Sequence, residues 1–197
     1  MVTIFIGKEK RTRKINNRSE KDLWVEMSIR EIWTQAHFAE LSFGNINLKA
    51  QRGTDLVFSS IHSFLSHCAM VSKLLNAEDD SQPPKTIGGV LNIPETSVIH
   101  TRTFRNHLEH YDERLKAWIR QFGPNVNIGT YNIGSKQAIN IPNLVFISHY
   151  DPNNQTFTFV NEDFNLGILF TEVNRIKSAA DAWVKKMEQG NITTPYV

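Results

Sequence analysis

Thr54-Asp55-Leu56-Val57-Phe58-Ser59-Ser60-Ile61-His62-Ser63-Phe64-Leu65-Ser66-His67-Cys68-Ala69-Met70-Val71-Ser72-Lys73-Leu74-Leu75-Asn76 carries an unbroken helical rhythm. Counting from Val57, the residues Ile61, Phe64, Leu65, Cys68, Val71 and Leu75 follow at offsets of 4, 7, 8, 11, 14 and 18. Side chains at such spacings share one face of an α-helix, so the stretch predicts an amphipathic helix with one buried stripe. Upstream, Ser19 with Asp22 three residues on resembles a capping box, and an apolar stripe begins at Leu23, Trp24 and Met27. It runs through Ile29, Ile32, Trp33, Ala36, Ala39 and Phe43, and Gly44-Asn45 is the expected stop.

Downstream, two further stripes appear. Phe104, Leu108, Tyr111, Leu115, Trp118 and Phe122 are spaced 4, 7, 11, 14 and 18 from the first, and Gly123-Pro124 ends the run. After Asp163, Leu166, Leu169, Val173, Ile176, Ala180, Trp183 and Met187 repeat in the same manner up to Gly190. Two apolar positions in every seven is the seam of antiparallel bundle helices. Between these two helices the period changes. Residues 144–150 and 155–160 are rich in β-branched and aromatic side chains and flank Asp151-Pro152-Asn153-Asn154, which is turn chemistry. The expected fold is therefore mainly α: an antiparallel four-helix bundle with a β-hairpin, about 144–160, inserted between helices three and four. Residues 125–141 read as loop. So does the connection from Ala77 to about His100, with Pro83, Pro84, Gly88, Gly89 and Pro94, and a loop that long is as a rule functional or mobile.

A chain of 197 residues with 40% hydrophobic and 21% charged residues fits one ordinary globular domain. The domain is expected over 19–190, with a basic arm at 1–18 and a tail at 191–197. No apolar run nears the ~20 residues that cross a bilayer, and Val2–Ile6 is too short for a signal-peptide core. The single cysteine, Cys68, lies within the helical stripe, where it serves as a small buried hydrophobe. These features point to the cytoplasm and to no membrane partner. The net charge of +2 is unevenly spread. Between Lys8 and Lys21 seven basic residues stand against Glu9 and Glu20, a local +5 that leaves −3 for the rest. Such an arm either tracks a phosphate backbone or is merely solvated.

Helix three concentrates the polar chemistry. At ~100° per residue, Asn106, His107, His110 and Arg114 flank its apolar stripe on one side, and Arg105, Glu109 and Asp112 on the other. Histidine titrates near neutrality and arginine grips phosphate oxygens, so an amide, histidines and arginines together suit phosphate handling. Arg105-Asn106-His107-Leu108-Glu109-His110 resembles the Arg-Asn-x-x-x-His motif of the HEPN superfamily, small helical bundles many of which are metal-independent endoribonucleases in toxin and antiphage systems. These six residues carry the resemblance, together with their place on the third long helix.

The resemblance implies His110 as the proton-transfer group, Arg105 as the charge-stabilising group and Asn106 as the residue that orients His110 or holds a phosphate oxygen. His107 and Arg114 lie outside that motif, and their supporting, phosphate-binding role follows from the wheel. The implied partner is RNA, with no cofactor and no metal. Residues five apart lie ~140° apart on a regular helix, so Arg105 and His110 do not share a face. A homodimer with a composite site, helix three lining the two-fold, reconciles them and agrees with the family's habit. No nucleotidyltransferase motif accompanies the domain, so an antitoxin would be a separate protein.

Two other readings stand beside this one. Arg105 is placed to pair with Glu109 on an exposed face, which leaves a non-catalytic helical RNA- or protein-binding module. A metal site at His107 and His110 is the third, although their i, i+3 spacing differs from the i, i+4 pairs of helical zinc sites. His37, His62, His67, His100 and His149 are scattered, with His62 and His67 read as residues of helix two.

Overall fold

The computed structural model describes residues 2–6, 9–13, 19–49, 53–78, 85–100, 110–122, 126–160 and 162–190. Within them the protein is mainly helical, with small sheets. Helix α1 spans Glu20–Lys49 and α2 spans Thr54–Leu75. The Asp22 N–H donates to the Ser19 hydroxyl at 3.1 Å, which realises the expected cap. Helix α1 runs six residues past its expected end at Phe43. Gly44 costs a helix interior only ~1 kcal/mol, and burial of Phe43 and Ile46 on the core side holds the last turns.

Helix α5, Leu166–Glu188, starts where Asn165 Oδ1 accepts the Ile168 N–H at 2.9 Å. It lies along α1 in the antiparallel sense: Arg30 meets Glu188 at 3.3 Å, Lys177 meets Glu40 at 2.5 Å, and the Phe43 and Phe170 rings stack at 4.1 Å. Helix α2 is antiparallel to α1 as well, since Ser42 bonds Ser63 at 3.0 Å and Gln35 bonds His67 at 2.7 Å. α1 is thus the central helix of three. Its fully buried Ile29, Ile32, Ala36 and Ala39 meet Ile61, Phe64 and Leu65 of α2 and Val173, Ile176 and Ala180 of α5 in one core.

Part of the 77–100 connection departs from its expectation as a free loop. A strand-like bridge joins Glu78 to Thr86, and Thr86 caps the single-turn α3, Ile87–Val90. Ile87, Leu91, Ile93 and Ile99 are buried, so residues 85–100 are packed onto the helices at four apolar points. Helix α4, Tyr111–Phe122, joins the same core through Trp118, with Leu115 and Phe122 packed beside it. The expected earlier turns of this helix, from Phe104, lie outside the described residues, and so does the 191–197 tail.

The expected hairpin is present as β6, Ser148–Asp151, paired antiparallel with β7, Thr156–Phe159. More strands surround it than the sequence suggested. β8, Glu162–Asn165, adds to β7, while β3 (Asn127–Gly129) pairs in parallel with β5 (Leu144–Phe146) and β4 (Asn132–Ile133) with β6. Asn127 faces Leu144 and Asn132 faces His149, the same offset of seventeen residues, so one parallel ribbon continues through both pairs. The segment 125–141, expected as loop, therefore contributes two strands, each too short to leave a period-2 signature. Tyr150, Phe157 and Phe159 turn one face of this sheet toward the helices, and the Phe58 ring of α2 meets Phe157 at 6.2 Å and Tyr131 at 5.1 Å. In the N-terminal arm, β1 (Val2–Ile6) and β2 (Glu9–Arg13) form an antiparallel hairpin with Val2 opposite Arg13.

Candidate functional site

Of the five residues singled out on helix three, Arg105, Asn106 and His107 lie outside the described residues. His110 and Arg114 are described, and they sit one turn apart. The Arg114 N–H donates to the His110 carbonyl at 3.0 Å, so His110 supplies an acceptor at the very start of α4. Its imidazole is 54% exposed, with Nδ1 3.7 Å from a carboxylate oxygen of Glu113. Arg114 is exposed as well. The geometry thus offers a solvent-accessible imidazole and a solvent-accessible guanidinium on adjacent turns, with a carboxylate beside the imidazole. Among the described residues no group of three or more histidine, cysteine or acidic side chains is arranged to hold a metal ion.

The remaining histidines take distinct environments. His67 faces α1, bonded to Gln35 and 5.4 Å from the Phe38 ring, whereas His62 faces the Phe157 ring of the sheet at 6.2 Å. They do not share one cleft. Burial lowers the basicity of both, and of His100, whose Nδ1 lies 3.0 Å from the Asn76 amide. Cys68 is buried as expected, and burial holds its thiol protonated well above the usual range.

One polar cluster escaped sequence reasoning. Asn132, His149, Thr158 and Asp163 stand directly opposite one another across β4, β6, β7 and β8, so they form a single row on the sheet face turned from the helices. Asn132 Nδ2 lies 2.8 Å from His149 Nδ1, Thr158 Oγ1 donates to Asp163 Oδ1 at 2.5 Å, and Lys136 Nζ reaches the same oxygen at 3.1 Å. His149 is wholly buried, and its Nε2 has no hydrogen-bond partner. Phe146 covers the imidazole, ring centres 4.6 Å apart. Gly129 makes room for that cover, since a Cβ there would stand 2.7 Å from the Phe146 ring.

Desolvation lowers the His149 pKa, with Lys136 adding to it, while Asp151, the Gly134 backbone and Asp163 act against. For Asp163, partial burial works against ionisation, yet the bonds from Thr158 and Lys136 prevail and its pKa falls. The row therefore holds a neutral imidazole beside an ion pair. The hairpin that sets β6 beside β7 was legible from the Asp-Pro-Asn-Asn turn, but its register was not, since a turn over 151–154 sets His149 opposite Thr156 and not Thr158. Asn132 and Asp163 arrive from strands without a sequence signal.

Compared with protein-family models, curated proteins and solved structures, the chain matches none. Among the described residues no helix is long and apolar enough to cross a membrane.

Proposed function

We propose that this protein is a metal-independent endoribonuclease of HEPN type, acting in the cytoplasm as a toxin or antiphage effector. The observation that carries the reading is Arg105-Asn106-x-x-x-His110 leading directly into α4, whose Leu115, Trp118 and Phe122 join a core of antiparallel helices. In this reading α4 is the C-terminal part of the third long helix of an antiparallel four-helix bundle, and the hairpin is an insertion between the third and fourth helices. Exposure of His110 supports the same view, because a proton-transfer group has to reach its substrate.

The chemistry needs only the chain's own side chains. A general base takes the 2′-hydroxyl proton of a ribose as that oxygen attacks the adjacent phosphorus. A general acid returns a proton to the departing 5′-oxygen, leaving a 2′,3′-cyclic phosphate and a 5′-hydroxyl. His110 fills one of these roles, and a second copy's histidine fills the other in a homodimer. Arg105 neutralises the charge that grows on the phosphorane oxygens. Asn106 orients His110 or the phosphate, and His107 and Arg114 extend the phosphate-binding surface. An antitoxin, where there is one, is a separate protein.

Incubating wild-type and His110→Ala protein with a panel of RNAs tests the proposal, with cleavage by wild type alone as the expected result. A second reading, a non-catalytic RNA- or protein-binding module, is favoured by the Glu113 carboxylate beside His110 on an open helix face. RNA bound without cleavage by both proteins would select it.

A further inference from the structure

Helix α1 is sheltered on nearly every side, and its exposed residues fall on one line. From Glu20 to Leu41 they are Glu20, Trp24, Met27, Glu31, Phe38 and Leu41, and half-buried Thr34 fills the remaining gap. Alternating steps of four and three are the heptad seam by which one helix meets another. Four of the seven positions are large hydrophobes in water: Trp24 at 37% exposure, Met27 at 43%, Phe38 at 41% and Leu41 at 54%. Scattered apolar residues on a surface need no explanation, but a continuous line of them marks an interaction site. Helix α2 widens it with exposed Leu56 and Met70, and the Phe38 ring already touches His67, one turn before Met70.

The order of residues along the line says what covers it. Trp24 and Leu41, Met27 and Phe38, and Glu31 and Thr34 are each equidistant from the midpoint between Ile32 and Trp33. The line thus reads apolar, apolar, polar, polar, apolar, apolar in both directions. A two-fold axis through that midpoint lays the same helix of a second copy antiparallel on the first. Trp24 then faces the partner's Leu41, Met27 the partner's Phe38, and Glu31 the partner's Thr34. Such self-complementarity is the requirement of an isologous interface.

The polar centre is already satisfied within one chain. Gln35 donates to the Glu31 carboxylate at 2.7 Å, and the Thr34 hydroxyl donates to the Arg30 carbonyl at 3.0 Å. It can therefore act as a register pin, as polar residues do in coiled-coil seams. The exposed side of α4 lacks this character. Asp112, Glu113, Arg114, Lys116, Arg120 and Gln121 all stand in solvent there, with Ile119 the large hydrophobe among them.

We infer that a second copy of this chain packs across the exposed seam of α1, centred between Ile32 and Trp33. The inference stands whether or not the protein cleaves RNA. From Trp24 to Leu41 the seam is ~26 Å long, and two helices of ~10 Å width give each copy a footprint on the order of 500 Å². That lies below the ~800 Å² per partner of a standard interface, so the dimer is reversible.

Sedimentation equilibrium of the full chain tests it. Wild type forms a dimer at tens of micromolar, and Phe38→Glu is monomeric while keeping the helical circular dichroism of wild type, because much of the side chain is exposed in the single copy. Register is read separately by disulfide trapping under mild oxidation. A mixture of Met27→Cys and Phe38→Cys proteins gives a cross-linked dimer. Neither does so alone, since position 27 lies ~17 Å along the seam from its own counterpart. A wild type that stays monomeric at hundreds of micromolar overturns the inference. So does a dimer that survives Phe38→Glu, or cross-linking as fast in the single-variant samples as in the mixture.

Discussion

Asn132 and His149, seventeen residues apart, meet side by side on parallel strands with Nδ2 of the amide 2.8 Å from Nδ1 of the imidazole. It is the hydrogen bond that holds the one wholly buried histidine of the described chain. Removing the amide leaves a buried ring nitrogen without a partner, and such a group costs ~1–3 kcal/mol. Asn132→Ala should therefore lower stability by about that amount in denaturant titration. Asn132→Asp should be tolerated better than alanine, since a carboxylate accepts from a protonated ring nitrogen. Equal stability of wild type and Asn132→Ala would show that the row contributes nothing.

Acidification should destabilise the fold from about pH 6.5 downward. Burial lowers the pKa of His62, His67, His100 and His149 below the ordinary histidine value of about 6.5, so the unfolded chain takes up these protons first. The stability that these neutral rings contribute is complete above the unfolded value and is lost as pH falls toward the folded ones. Carboxylates act in a lower window. The Glu40 pKa is lowered by its bonds to Lys177 and His37, and its contribution is lost as pH drops below about 4.5, its ordinary value. Melting midpoints at pH 7.5 and 5.5 separate the two: the midpoint should be lower at 5.5, and His149→Gln should shrink the difference. A midpoint that rises on acidification would refute this assignment.

The core distinguishes two leucines that the sequence ranked alike. Leu65 is fully buried between α1 and α2, whereas Leu115 of α4 is only partly covered. Leu65→Ala should cost ~2–5 kcal/mol through the cavity it leaves, and Leu115→Ala less. Urea titration of the two variants checks the order, and a larger loss at Leu115 would mean that α4 is packed more tightly than its exposure indicates.

What the sequence revealed follows from how local each signal is. Helix α2 was expected over 54–76 and spans Thr54–Leu75, because every turn places an apolar residue on one stripe. Helix α5 was equally legible for the same reason. At Gly44 a local stop signal was overruled by the burial of Ile46, a tertiary effect invisible to propensity. Strands β3 and β4 have three and two residues and gain their identity only by pairing with residues seventeen positions on. His149 looked like one scattered histidine for the same reason, as its partner arrives from β4. The exposed seam of α1 was written in the sequence too, but its Trp24 and Met27 were counted as core, since periodicity alone does not say which stripe faces inward.

The proposed catalysis is tested most directly by one comparison of RNA cleavage. Purified wild type, His110→Ala and Arg105→Ala are mixed with structured and unstructured RNAs in the presence of a chelator, and the product ends are identified. The account predicts cleavage by wild type to 2′,3′-cyclic phosphate or 3′-phosphate ends, with DNA untouched. Loss of a positioned acid or base costs ~10²–10⁴-fold, and loss of a charge-stabilising donor ~10²–10³-fold. His110→Ala and Arg105→Ala should fall within those ranges while melting as wild type does. Equal rates for wild type and folded His110→Ala would contradict the account, as would activity that disappears with the chelator.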